Sequence, residues 1–233
     1  MKRPLFQLLR PPNLFTVPGD PLCGALFVNH GELSWRIVSC MVISLAAYCA
    51  GLVINDLADY KEDLRERPDR PLPSGGVSRR TALFLAVVFI AIAIGTAATV
   101  SLAVFISTIF LLALILFYNL LAKRIPILGP VVMGVCRGAS VQLGIHAVMS
   151  NPTNYQILPA VVIAGYICGL SGVARNETSN PRIPALIGKL ISGLLFIQAG
   201  FCAYAGGAGW VAALLLLALW PVSRLVATRF YAS

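Results

Sequence analysis

Six of the nine acidic residues of this chain, Asp56, Asp59, Glu62, Asp63, Glu66 and Asp69, fall in one stretch, NDLADYKEDLRERPDRPLPSG, from Asn55 to Gly75. On a helix, Asn55, Asp59 and Asp63 stand four residues apart, so an amide and two carboxylates line one face. Such an oxygen-only set suits a hard divalent cation such as Mg²⁺, which takes a few carboxylates and completes its shell with substrate phosphates and water. Arg65, Arg67 and Arg70 follow at once and can neutralise the same phosphates. Alternating charges at a helix end are more plainly read as a solvated, salt-bridged loop. The flanking segments are apolar, however, and carboxylates at the mouth of a membrane helix are costly and tend to be functional.

The elements that must position this stretch are read from hydropathy. Of the 233 residues, 58% are hydrophobic and 12% charged, and the mean hydropathy is +0.83. That places the chain among membrane proteins. Eight apolar runs are long enough to span a bilayer, at about 14–30, 35–54, 81–98, 101–121, 126–148, 155–174, 183–205 and 209–228. The net charge of +9 does not signal nucleic acid, because the basic residues sort by side. Lys2, Arg3, Arg10, the 61–80 loop, Lys123, Arg124, Arg175, Arg182, Lys189, Arg224 and Arg229 lie on alternate connections, and the opposite connections carry only Arg36. The positive-inside rule then predicts both termini and the acidic stretch on the cytoplasmic side of the plasma membrane, with some attraction for anionic lipid.

Six cysteines fall inside the spans with no ligand spacing and read as small packing residues. His146, Gln142 and Gln198 read as polar contacts between helices. The N-terminal apolar run contains Asn13, Asp20, Pro18 and Pro21, which predicts a broken first transmembrane helix rather than a cleaved signal peptide. Polar groups sealing the freed backbone would account for Asp20 equally well. Arg137 lies two to three turns inside the fifth span and must face a carboxylate, a phosphate or water. Pairing with Asp20 is one solution; diphosphate binding is the one preferred.

The stretch NDLADYKEDLRERPDRPLPSG resembles the first aspartate-rich motif of the UbiA superfamily of intramembrane prenyltransferases, NDxxDxxxD followed by an RPLPSG-like turn. The run RPPNLFTVPGDPLCGAL is similar to the first helix of that family, whose Asn faces the substrate cavity, which makes Asn13 and Asp20 candidates. FYNLLAKRIPILGP resembles the segment in which a Tyr and a following Lys approach the diphosphate, here Tyr118 and Lys123. The resemblance implies an all-α integral membrane protein, a single domain over 1–233, with a helix bundle around a central cavity open to the cytoplasm. Family members commonly form nine-helix bundles. Here eight spans are found, so either the last helix is absent or two short spans are hidden in the boundaries.

The resemblance further implies Mg²⁺-dependent transfer of a prenyl group from a prenyl diphosphate to an aromatic or other lipophilic acceptor. On that reading Asn55, Asp59 and Asp63 hold the first metal, with Asp56 ligating or orienting it. Arg67, Arg70, Lys123 and Arg137 bind diphosphate, Tyr118 steadies it or contacts the cation, and Asn13 touches acceptor or diphosphate. The second motif departs from the family pattern DxxxD. AGYICGLSGVARNETSN repeats the Tyr-x-x-Gly-Leu spacing of Tyr48, Gly51 and Leu52 and so aligns Glu177 with Asp59, but offers no second carboxylate. Either Glu177 with a neighbouring Asn serves a phosphate-bound Mg²⁺, or ordinary catalysis has been lost. A terpene cyclase of the same superfamily, a non-catalytic prenyl-lipid-binding or export-associated protein, and a secondary transporter remain as alternatives. The last would place its site nearer the midplane.

Overall fold

The structure is a computed structural model that describes residues 2–149, 151–174 and 183–230. All regular structure among the described residues is helical. Three short helices open the chain, α1 (Lys2–Leu9), α2 (Pro11–Leu14) and α3 (Gly19–Val28). They are followed by α4 (Trp35–Ala58), α5 (Tyr60–Glu66), α6 (Arg79–Val100) and α7 (Leu102–Leu120). A 3-10 turn at Ala122–Arg124 leads into α8 (Leu128–Val148), α9 (Leu158–Ala174), α10 (Ile183–Ala205) and α11 (Gly209–Phe230). Six helices, α4, α6, α7, α8, α10 and α11, contain stretches long and apolar enough to cross a bilayer, while α3 and α9 are shorter apolar helices.

The outward faces show which solvent the fold expects. Leu83, Phe84 and Val87 on α6, Ile106 and Phe110 on α7, and Leu214 and Leu215 on α11 are all exposed. Such continuous apolar faces are at home against hydrocarbon, where every backbone group must be paired within its own helix. Helix starts are capped to that end. The Ser78 Oγ accepts the Thr81 amide at 3.0 Å and the Ser101 Oγ accepts the Val104 amide at 3.2 Å. Ser101 is also the whole connection between α6 and α7, which is why the boundary between these spans is hard to see in the sequence.

The prolines break the first transmembrane segment as expected. Pro11 and Pro12 occupy the first turn of α2, where a missing N–H costs nothing. Residues 15–18 form a turn held by i to i−3 bonds such as Val17 N to Leu14 O, 3.3 Å. The Thr16 carbonyl this frees is taken by neighbouring helices, accepting from Arg137 and Gln198, while Val17 O accepts the Asp20 amide at 3.2 Å and the Ser44 hydroxyl at 3.4 Å. Polar side chains thus seal a broken helix inside the bundle.

Helix α3 packs between α8, α10 and α4. Its buried Leu26 joins Ile145, Leu194 and Leu195 in one apolar cluster, and Ile43, Ala93, Val104 and Leu143 anchor a second between α4, α6, α7 and α8. Small residues let α8 approach both neighbours. A Cβ on Gly144 would strike the carbonyl of Pro21, and Gly134 and Gly138 lie against the carbonyls of Ala164 and Ala160. At the end of the bundle away from the acidic motif, Ala208 N donates to Gly31 O at 3.2 Å, joining the α3–α4 turn to the α10–α11 turn.

Candidate active site

The acidic motif does not run as one straight helical face. Asp59 leaves the helix, with ψ at 2°, and separates α4 from α5. The hydrogen bonding nevertheless continues across it, Asp59 N to Asn55 O at 3.0 Å and Asp63 N to Asp59 O at 2.8 Å. Asn55 and Asp59 still share one partner across the break, while Asp63 and Asp56 have others. The Lys123 Nζ donates to Asp59 Oδ1 at 2.6 Å and to Asn55 Oδ1 at 3.1 Å. The Arg70 guanidinium grips both oxygens of Asp63, at 2.9 and 2.8 Å. The Arg10 guanidinium donates to Asp56 Oδ1 at 3.0 Å. Lys123 sits in the 3-10 turn between α7 and α8, and the Arg79 guanidinium, at the start of α6, lies 4.8 Å over the Tyr60 ring of α5.

These residues fit a hard cation through two protein oxygens rather than three. Among the described residues no three His, Cys, Asp or Glu side chains converge closely enough to hold a metal. Asn55 Oδ1 and Asp59 Oδ1, however, already share one cationic atom, the Lys123 ammonium, so both oxygens lie within reach of a single cation. Mg²⁺ is commonly held by one or two carboxylates together with substrate phosphates and water, so this donor set suits it. Asp63 and Asp56 are buried, at 4% and 5% exposure, beside the pair.

Other residues singled out from the sequence lie around this mouth or below it. Arg67 is exposed at the end of α5 and, with Gln7, Arg10, Asp56, Asp69 and Arg70, lines a polar cavity of about 410 Å³. Tyr118 is half-buried near the end of α7, packed on the α4–α6–α7–α8 cluster. Asn13 is half-buried in α2, and its carbonyl accepts the Thr16 hydroxyl at 3.1 Å. Glu177 lies outside the described residues. Arg137 pairs with Asp20, one of the two solutions weighed for it. Its Nη2 donates to Asp20 Oδ1 at 3.0 Å and to Thr16 O at 3.2 Å. Its Nε is 2.9 Å from Asp20 Oδ2, close enough for the charges to pair although the N–H is not aligned on that oxygen. The Gln198 amide completes the cluster by donating to Asp20 Oδ1 at 2.7 Å.

Two residues of this end escape a reading from sequence. Arg10 counts there only as one of the basic residues that set orientation. In the structure it has φ 45° and ψ 64°, a left-handed conformation that is costly for a residue with a side chain and tends to mark functional sites. The signal available was its place directly before Pro11, where helical backbone is disfavoured. Asn119 is buried and donates to Ile115 O at 2.9 Å and Gly51 O at 3.4 Å, binding α7 to α4 one turn from the motif. Separately, α2, α3, α4 and α11 enclose an apolar cleft of about 490 Å³, lined by Leu14, Phe15, Leu22, Met41, Leu45 and Leu215 among others.

With this geometry in view, comparison with known proteins adds three findings. Residues 21–176 match the UbiA prenyltransferase family. The chain is 29% identical over 212 residues to a digeranylgeranylglyceryl phosphate synthase of Natronomonas pharaonis, covering 85% of this chain and 73% of that one. It is 30% identical over 152 residues to a 4-hydroxybenzoate octaprenyltransferase of Polaromonas sp., where it spans about half the relative's length, 52%, from 64% of its own. Among solved structures, a UbiA homolog from Archaeoglobus fulgidus bound to DMAPP and Mg²⁺ superposes with a TM-score of 0.59 at 15% identity, over 97% of this chain and 87% of that one. At that identity the likeness speaks for the fold.

Proposed function

The chain belongs to the UbiA prenyltransferase family, and from that premise we propose that it transfers a prenyl group from a prenyl diphosphate to a lipophilic acceptor within the membrane, with Mg²⁺. The observation that carries the reading is the Asn55–Asp59–Lys123 constellation, two oxygens and an ammonium within hydrogen-bond reach at one end of an apolar bundle. Asn55 and Asp59 would hold the metal, with Asp63 and Asp56 completing or orienting its surroundings and Glu177 serving a second position. Bound there, Mg²⁺ supplies positive charge to the diphosphate as its bond to the allylic carbon breaks.

The side chains of the protein do the remaining work. Lys123 with Arg67 and Arg70 would bind the leaving diphosphate, whose negative charge grows as the carbon–oxygen bond opens. Tyr118 would steady the diphosphate or face the allylic cation, and Asn13 would contact acceptor or diphosphate. The acceptor's electron pair then forms the new bond to the allylic carbon, and the proton the acceptor loses would pass to the departing diphosphate. The apolar cleft between α2–α3, α4 and α11 suits a hydrocarbon tail, and apolar walls exclude the water that would otherwise capture the cation. Orientation by the positive-inside rule would turn this mouth to the cytoplasm.

A second reading rests on the segment ARNETSNPR, which has one carboxylate where the family pattern has two. On it the protein binds prenyl lipids without reacting them. Diphosphate release by the purified protein in nanodiscs, from a panel of prenyl diphosphates with and without Mg²⁺ and beside Asp59→Ala, separates the two. Mg²⁺-dependent release that the variant lowers by at least about a hundredfold supports ionisation of the donor, with the acceptor or a cyclised product then to be identified. Folded protein that binds the lipids and releases no diphosphate at any chain length supports the non-catalytic reading.

A further inference from the structure

Each of the three motif carboxylates has a cation of its own: Arg10 on Asp56, Lys123 on Asp59 and Arg70 on Asp63. The three pairs differ in kind. Arg70 holds both oxygens of Asp63 in a two-pronged bond, which is geometrically specific and suited to a fixed support. Lys123 holds its partners by one atom, bridging the Asp59 carboxylate and the Asn55 amide oxygen. A lysine ammonium is a compact point charge with three rotatable donors on a flexible four-carbon stem, suited to changing partners without moving the backbone. The backbone at this point is anchored, because Ala122 in the same turn is fully buried.

We propose that Lys123 is the resident counter-ion of the metal position, so that metal and diphosphate bind as a coupled pair; this rests on the transferase reading above. A divalent ion arriving alone must share Asp59 with an ammonium 2.6 Å from its oxygen, or displace that ammonium from a position where the lysine side chain is only 14% exposed. A diphosphate arriving alone gains the lysine only by leaving Asp59 without its cation. With both present, the Lys123 ammonium would pass from the Asp59 carboxylate to a diphosphate oxygen, leaving Asp59 and Asn55 to hold the metal. Every charge then keeps a partner, which matters most where burial makes an unpaired charge costly. The consequence is weak affinity for either component alone and strong affinity for the two together.

The test uses the full chain in nanodiscs, Mn²⁺ as a paramagnetic metal followed by EPR, and a radiolabelled geranyl thiolodiphosphate that does not react. In the wild type, saturating analogue should tighten Mn²⁺ by about tenfold or more, and saturating Mn²⁺ should tighten the analogue by the same factor, as thermodynamic linkage requires. In Lys123→Met, Mn²⁺ alone should bind about tenfold tighter than in the wild type, while the analogue binds more weakly even with metal. Lys123→Arg keeps the charge and should leave free Mn²⁺ weak, and Lys123→Gln, which removes the charge but keeps a polar side chain, takes the place of Lys123→Met should the latter fail to fold. Wild-type Mn²⁺ affinity that is equal with and without analogue, or unchanged in folded Lys123→Met, overturns the coupling and leaves the transferase reading standing. Absence of Mn²⁺ binding in every arm overturns both.

Discussion

Asp20 and Arg137 carry opposite charges into the interior of the bundle, where Asp20 is fully buried and Arg137 is 8% exposed. The pair holds the broken first segment to α8, because Arg137 also binds the Thr16 carbonyl freed by the break, and Gln198 binds both Asp20 and that same carbonyl. Removing one member of such a pair strands the other. Asp20→Leu should therefore destabilise the protein by about 3–5 kcal/mol, whereas replacing both charges with apolar residues of similar volume should recover most of the loss. Thermal unfolding in detergent of Asp20→Leu, Arg137→Met and the double variant closes the cycle. Recovery in the double variant with analogue binding intact would make the pair structural. A double variant that is stable but no longer binds the diphosphate analogue would return Arg137 to the substrate.

At the scale of elements, the approach of α3 to α8 sets where the first segment lies relative to the motif end. Gly144 is the contact that admits no side chain, since a Cβ there meets the Pro21 carbonyl, backbone that cannot swing aside. Gly144→Ala should cost about 1–3 kcal/mol by overpacking and lower the melting temperature. Gly165→Ala on α9, where the added Cβ meets nothing within 4 Å, is the matched control and should be neutral or gain about 0.5–1 kcal/mol from helix propensity. Equal melting temperatures for the two variants would mean that α8 tolerates separation from α3. The long helices were legible from hydropathy because a bilayer demands runs of about 20 apolar residues. The break at Asp59 and the short helices α1 and α5 were not, because they depend on partners far along the chain. Asp59 faces Lys123 across 64 residues and Asp56 faces Arg10 across 46, distances that no local periodicity reports. The motif was legible as donor types and spacing, but the assignment of one cation to each carboxylate required the folded chain.

For the whole molecule, the sidedness of charge fixes an axis. Arg10, Arg67, Arg70, Arg79 and Lys123 gather at the motif end. The other end carries Tyr155 and Tyr204, which hydrogen bond at 2.7 Å and flank Phe27, and the exposed Trp35 and Trp210. Aromatic residues with one polar edge sit well at the headgroup boundary, and excess Lys and Arg mark the cytoplasmic side. Glu32 and Glu62 are both exposed, one at each end, and the described cysteines are buried or half-buried in helices, so single added thiols should report against a low background. An impermeant maleimide on intact cells should label Glu32→Cys, and should reach Glu62→Cys only after permeabilisation. The reverse pattern would sink the orientation and place the acidic motif outside. The outcome decides supply as well as topology. A diphosphate headgroup does not cross hydrocarbon unaided, because burying its charge is prohibitive. The side on which Glu62 labels is therefore the side from which the prenyl donor must be drawn.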